Sequence, residues 1–301
     1  MITPVLLITY KRPELTKKIF SILKKNNVKN LFVFNDGPKS KSNNLELNEI
    51  IKTRKIINYY HKSIKFKKKI LKKNIGLNSA IPVAIDWVFK YHDKVIIIED
   101  DCIVEKDFFI FCEQLLKLYE NDQRISQISG SNLLNHRGFS RRNNDSYFFS
   151  KFTPVWGWAT WKNRWEKVYD KKMKNWSEVK RGKWLFDILK NKENGKYWLK
   201  IFNKEYNKII WDRIWTFSNF INNRISIIPS KNLVSNLGYD KDASGINPKK
   251  WSAVKIENMK FPLKHPNIIA VDEQADSFIS AEGFSTPKLT YRIKNFIKRN
   301  F

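Results

Sequence analysis

The sequence predicts an α/β fold built on a doubly wound, mostly parallel sheet. Three observations carry that expectation. Short apolar runs recur along the first 130 residues, each four to six residues long and closed by turn residues. Segments with helical periodicity separate them, the alternation that builds parallel sheets. Unusual polar residues follow several of the runs, at the strand ends where open sheets bind ligands.

The elements follow in order. Residues 4–9 (Pro-Val-Leu-Leu-Ile-Thr) read as a buried strand that ends in Thr9-Tyr10-Lys11-Arg12-Pro13. From Glu14 to Lys25, Leu15, Ile19, Ile22 and Leu23 share one helical stripe. Leu31–Phe34 reads as a second strand, stopped by the turn cluster Asn35-Asp36-Gly37-Pro38. A helix is expected near 45–54 and a basic strand at 67–72. Asn74-Ile75-Gly76-Leu77 then opens a helix running to about Tyr91. Val95–Ile98 is the clearest strand, and it ends in Glu99-Asp100-Asp101. A helix over 106–119 and a strand over 125–129 complete the pattern.

After Ser150 the composition shifts toward Trp and Lys, beginning with Trp156-Gly157-Trp158-Ala159-Thr160-Trp161. Helices are expected over 177–191, 195–208 and 211–223, with extended runs at 225–228 and 232–235. Residues 240–286 read as loop-rich. The expected organisation is residues 1–240 as one unit, with a ligand-binding half to 150 and a helical, Trp-rich half from 151, followed by a C-terminal extension over 241–301.

Composition narrows the functional classes. The chain has 301 residues, a net charge of +28, 42% hydrophobic residues, 10 Gly and 10 Pro. Average usage is roughly 7% Gly and about 5% Pro, so a linker-like or collagen-like chain is excluded. The apolar fraction supports a sizeable core. Two cysteines and four scattered histidines give neither a disulfide framework nor a Cys/His zinc pattern. No leader-like apolar segment or membrane span is evident, so a cytoplasmic location is expected.

The charge has three readings: nucleic-acid binding, attraction to an anionic membrane surface, or a Lys-rich compositional background. Lysines are spread along the chain and no nucleic-acid recognition motif accompanies them, which favours the background and argues against a nucleic-acid partner. The tail 288–301 carries Leu289, Ile293, Phe296, Ile297 and Phe301 on one stripe among basic residues. It fits either a membrane-surface helix or a helix docked on the domain.

Against this basic background, Glu99-Asp100-Asp101 stand out. Adjacent carboxylates raise one another's pKa unless a cation or hydrogen bonds offset them. Mg²⁺ or Mn²⁺ binds through one or two carboxylates together with substrate phosphates. A solvated acidic turn that starts the next helix is the plainer alternative.

Taken together, the strand-end motifs resemble the GT-A glycosyltransferases, in a bacterial branch of family 2-like proteins. Near the acids, with Phe108-Phe109 following, the match is to N-acetylglucosaminyltransferase I-like enzymes. Val155–Trp161, Trp211-Asp212, the run from Pro229 to Gly238, and His265-Pro266 extend the resemblance over most of residues 3–270. It implies transfer of a sugar, N-acetylglucosamine or a hexose, from a UDP-sugar to a hydroxyl of a cell-surface glycan or lipid-linked acceptor, assisted by Mn²⁺ or Mg²⁺ and inverting.

By that resemblance Thr9, Tyr10, Arg12, Asp36, Asn74, Gly76, Glu99 and Asp100 face the donor, Asp101 holds the metal, and Asp212 is the general base. Trp156, Gly157 and Trp158 would form an acceptor platform. Each residue also has a local reading. Arg12 reads as a surface cation, Asp36 as turn chemistry, and Asn74 as a helix cap. Asp212 reads as a helix-start residue or a partner of Arg213, and the tryptophans as core. One departure is evident. The branch often places a His after its Asn-Leu-Gly segment, where this chain has Asp240-Lys241-Asp242-Ala243-Ser244-Gly245-Ile246. His265 reads as structural. The alternatives in other classes are a sugar-phosphate nucleotidyltransferase and a basic nucleic-acid-binding protein. Residues 9–14 lack the glycine that the former expects.

Overall fold

The computed structural model describes residues 2–132, 134, 139, 144–205, 210–238 and 254–281. The tail stripe at 288–301 and the run 240–246 lie outside the described residues. Among those described, the first half alternates strand and helix in chain order. The elements are β1 (Val5–Thr9), α1 (Pro13–Lys25), β2 (Leu31–Asn35), α2 (Asn44–Ser63), β3 (Lys67–Ile70), α3 (Leu77–Val88) and β4 (Lys94–Glu99). There follow β5 (Cys102–Val104), α4 (Lys106–Leu118), β6 (Ile125–Ser129), β7 (Tyr147–Ser150) and β8 (Trp158–Trp161).

Local chemistry explains the boundaries. Pro13 opens α1 where its missing N–H costs nothing, Glu14 sits in the first turn and Lys24 and Lys25 in the last. Asn43 caps α2 by accepting the N–H of Glu46 at 2.8 Å. Gly76 takes φ +76° at the start of α3, a left-handed conformation that favours glycine.

The main sheet has eight strands in the order β3-β2-β1-β4-β8-β6-β9-β7, where β9 is Ile225–Pro229. The pairs β3/β2, β2/β1, β1/β4 and β6/β9 are parallel. β8 runs antiparallel between β4 and β6, and β7 runs antiparallel to β9. This is the expected mixed α/β architecture with a mostly parallel sheet. A separate two-stranded ribbon joins β5 to β10 (Val234–Asn236).

Both faces of the sheet are covered, which is why β1, β2 and β4 are apolar except at their ends. Val5, Leu7, Val33, Ile96 and Ile98 pack on one face with α1, α2 and α4. Leu6, Ile8, Phe32, Phe34, Val95 and Ile97 pack on the other with α3 and four tryptophans. The second half adds α5 (Lys162–Val168), α6 (Trp176–Arg181), α7 (Trp184–Leu189), α8 (Lys192–Glu205) and α9 (Trp211–Ile221). Trp176, Trp198, Phe202, Phe217 and Phe220 from these helices form a further core.

Several expectations are revised. The helix expected over 177–191 is two helices, because Lys183 turns left-handed at φ +56° and Trp184 folds over Gly182, where a Cβ would collide with its indole. The helix near 45–54 extends to Ser63. Residues 102–104, 147–150 and 158–161 are strands that no period marked in the sequence. The loop-rich stretch holds a short helix at Glu273–Ile279. Among the described residues no helix is long and apolar enough to cross a membrane.

Candidate active site

Parallel pairing brings the carboxyl ends of β2, β1 and β4 to one edge of the sheet. Thr9 is in register with Asn35, and Ile8 with Glu99. β8 enters at the same edge, since Trp158 pairs with both Ile97 and Ser129. The polar residues that follow these strands therefore converge.

The centre is a web around Arg12. Its Nη1 donates to Oδ1 of Asp100 at 3.1 Å and to Oδ2 of Asp101 at 2.8 Å. The backbone N–H of Tyr10 donates to the other Asp100 oxygen at 2.9 Å, so the loop after β1 is tied to the loop after β4. Nη2 of Arg12 reaches the carbonyl of Gly238 at 3.4 Å. Leu237 N–H donates to the Asp101 carbonyl at 2.8 Å, and a Cβ at residue 238 would collide with the Asp101 carboxylate. Glycine is therefore required there for close approach.

The electrostatics follow from this crowding. Burial and the neighbouring Asp101 push Asp100 up to about 6, against the pull of Arg12 and the Tyr10 N–H. Glu99 is pushed well above the usual carboxylate range by desolvation and by Asp101 and Asp100, with Asp212 adding to the same effect. Burial works against the charge on Arg12, but Asp100 and Asp101 outweigh it and hold the guanidinium protonated.

Asp212 lies in the first turn of α9, half-buried. Its Oδ1 accepts the N–H of Arg213 at 2.9 Å, whereas the Arg213 guanidinium lies over the Trp198 ring. Trp211 N–H donates to Asn78 Oδ1 at 3.4 Å, which joins the start of α9 to α3. Tyr169 belongs to the same neighbourhood. Its buried hydroxyl has no hydrogen-bond partner among the described residues, and burial, Asp86 and Asp212 push its phenol up.

A second cluster lies beside the first. Oδ1 of Asp36 accepts from Gly37 N–H at 2.7 Å and Ile75 N–H at 3.0 Å. Oδ2 accepts from Asn74 Nδ2 at 2.9 Å and Gly76 N–H at 3.1 Å. A carboxylate offers about four lone-pair directions, and these donors take them all. Asp36, Asn74 and Gly76 thus clamp one another, and Asp36 has no acceptor capacity to spare for a base.

The aromatic expectation is also corrected. Trp158 is 1% exposed and lies among Trp165, Trp211 and Trp215 with ring centroids 6.0–6.3 Å away. It has no face to offer a sugar, because β8 is an interior strand. Trp161 is buried as expected. Trp156 is half-buried against the core, and Gly157 is buried at φ +55° with its carbonyl accepting from Gly130 N–H at 2.7 Å. His265 bonds the Tyr147 hydroxyl through Nδ1 at 3.0 Å, a structural contact.

Residues that the sequence did not single out complete the site. Asn35 donates to Thr9 Oγ1 at 3.0 Å and to the Tyr10 carbonyl at 3.1 Å, and accepts from Arg54 Nε at 2.9 Å. Glu46 accepts from the Tyr10 hydroxyl at 3.0 Å, and despite burial that bond helps to hold it below its ordinary value. No local signal marks Arg54 or Glu46, because both stand on a long, mostly polar helix.

The described residues do not fit a divalent metal held by protein side chains alone. Among the described residues no group of three or more His, Cys, Asp or Glu side chains is arranged to hold an ion. Asp101, the expected ligand, is bound by Arg12 on one oxygen and faces the Cys102 thiol on the other at 3.4 Å.

No protein-family model and no curated protein matches the chain. Among solved structures it is similar to S. aureus TarS 1–349 at a TM-score of 0.36 and 13% identity, over 55% of this chain and 49% of that one. It is similar to A197 from STIV at 0.37 and 12%, over 86% and 100%. It is similar to UDP-glucose pyrophosphorylase complexed with UDP-glucose at 0.33 and 14%, over 58% and 82%. The chain spans about half the length of the TarS fragment. Likeness at this level fixes neither an activity nor a ligand, so the chemistry is argued from this chain's own residues.

Proposed function

We propose that the chain is a nucleotide-sugar-dependent glycosyltransferase. It moves N-acetylglucosamine or a hexose from a UDP-sugar to a hydroxyl of a glycan or lipid-linked acceptor, with inversion at the anomeric carbon. The observation that carries the reading is one sheet edge holding a fixed guanidinium, a desolvated carboxyl at Glu99 and a carboxylate at Asp212 whose charge reaches Glu99.

Sugar transfer from a diphosphate needs three things. A cation must meet the departing diphosphate, and Arg12 suits it because a guanidinium matches phosphate oxygens. A base must take the proton of the attacking hydroxyl, and Asp212 keeps an oxygen outside its contact with Arg213 for that purpose. The sugar hydroxyls need fixed partners. Glu99, whose carboxyl burial and its acid neighbours push upward, lies at this edge as a candidate partner for those hydroxyls. Asp100 spends its oxygens on Tyr10 and Arg12 and so positions the loop that carries Arg12.

The test is nucleoside diphosphate release from a panel of UDP-, GDP- and dTDP-sugars, supplied with extracted lipid-linked saccharides as acceptor, with and without Mn²⁺. Release from a UDP-sugar that depends on acceptor is expected. Absence of release from every donor would overturn the reading.

A further inference from the structure

The two acids that a metal would use already have a cation. Arg12 Nη1 bridges Asp100 and Asp101, the second Asp100 oxygen is taken by Tyr10 N–H, and Gly238 lies against the Asp101 carboxylate. A divalent ion at Asp101 would have to sit beside the guanidinium, which repels it. Of the five N–H donors of a guanidinium, Nη1 spends its two on the acids and Nη2 makes one long contact to Gly238. Nε and the other Nη2 hydrogen have no partner among the described residues, and the side chain remains 33% exposed. Nε and Nη2 form one edge of the fork, which meets two phosphate oxygens at once. Arg12 is also the N-cap residue of α1, so the positive end of that helix adds to the same field.

We infer that Arg12 takes the place of a divalent metal in this chain, binding the donor diphosphate through its Nε–Nη2 edge so that transfer runs without a metal ion. The inference rests on the transferase reading above. In the step, the acceptor oxygen forms a bond to the anomeric carbon and gives its proton to Asp212. The bond from the anomeric carbon to the diphosphate oxygen breaks, and its electron pair leaves with the nucleoside diphosphate. The negative charge gained by that leaving group faces Arg12, which stays protonated throughout. Asp100 and Asp101 hold the guanidinium in place and are not themselves ligands.

The test is calorimetric titration of UDP into the full chain, in EDTA and in Mn²⁺, with UDP-sugar turnover measured in parallel. UDP is expected to bind in EDTA within about threefold of its Mn²⁺ affinity, and turnover is expected to persist in EDTA. Arg12→Ala should weaken UDP by about 10-fold or more, and Arg12→Lys, which keeps the charge but loses the fork, should fall between. The lysine variant and a thermal melt guard against loss of fold. Binding and turnover that require Mn²⁺ in the wild type would overturn the inference and leave the transferase reading standing, as would Arg12→Ala binding UDP like the wild type while turnover continues. UDP binding in EDTA that depends on Arg12, without release from any UDP-sugar, would uphold the cation role and defeat the transferase reading. If UDP fails to bind and no donor is turned over in either condition, both fail.

Discussion

Asp36 and Asp100 each follow an apolar parallel strand, lie on neighbouring loops and are nearly buried, at 6% and 4% exposure. Their surroundings differ in kind. Asp36 accepts four N–H donors from its own loop and the loop at 74–76, and all of them are uncharged. Asp100 has Glu99 and Asp101 as chain neighbours and leans on Arg12 for compensation. Neutral donors close a carboxylate into a structural staple. Crowded carboxylates with one cation leave charge unbalanced, and unbalanced charge under partial burial is available to a ligand. An acid after a strand therefore says little until its donors are known.

The comparison can be broken most directly at Asp212, whose carboxylate belongs to the crowded side. Asp212→Asn should lower turnover by about 10²–10⁴-fold while UDP affinity, read by calorimetry, stays near the wild-type value. An unchanged turnover would remove it as base. Next in size is the floor beneath the site. Trp158→Ala should destabilise the fold by about 3–5 kcal/mol in urea unfolding, and Trp158→Phe should recover most of that with no change in acceptor KM. A selective KM effect would restore the acceptor role.

Asp36→Ala removes the staple and leaves several N–H groups without partners, at about 2–4 kcal/mol of stability, and Asp36→Asn should cost less. A loss of UDP binding with stability intact would move Asp36 to the ligand side. The smallest effect concerns Asp276, a buried acid remote from this edge that accepts from Ser150 Oγ at 2.5 Å and Lys151 N–H at 2.9 Å. Burial raises it to about 7 from an ordinary 3.8. The folded state thus keeps a proton that the unfolded chain releases, so its contribution to stability is largest below pH 4 and declines as pH rises toward 7. The stability difference between wild type and Asp276→Asn should shrink by about 1–3 kcal/mol over that window. A pH-independent difference would mean that Asp276 is ionised throughout.

Much of the sheet was legible because β1, β2 and β4 are apolar runs bounded by turn residues, the pattern that two covered faces impose. β5 was not, since three residues carry no period, whereas β10 overlaps the extended run expected at 232–235. β8 was misread because Trp-Ala-Thr-Trp fits an interior strand and a sugar platform equally well until its neighbours are known. At the site, the residue types were visible but their pairing was not. Arg12 lies 88 and 89 positions before the acids it binds, and nothing local distinguishes it from the many other cations of this basic chain. From sequence the counter-ion expected for these acids was a metal, and the cation that the structure sets beside them is Arg12.

The antiparallel β8 has a consequence for how the chain can be divided. It is hydrogen-bonded to β4 on one side and β6 on the other, so it is the keystone between strands that precede it in sequence. Residues 1–150 alone would leave Val95, Ile96 and Ile97 on an unpaired edge, an open template for intermolecular pairing. β6 would have no partner on either side, since β9 also comes later. The two halves expected from sequence, to 150 and from 151, are thus parts of one hydrogen-bonded ladder, and a truncation at their boundary should aggregate.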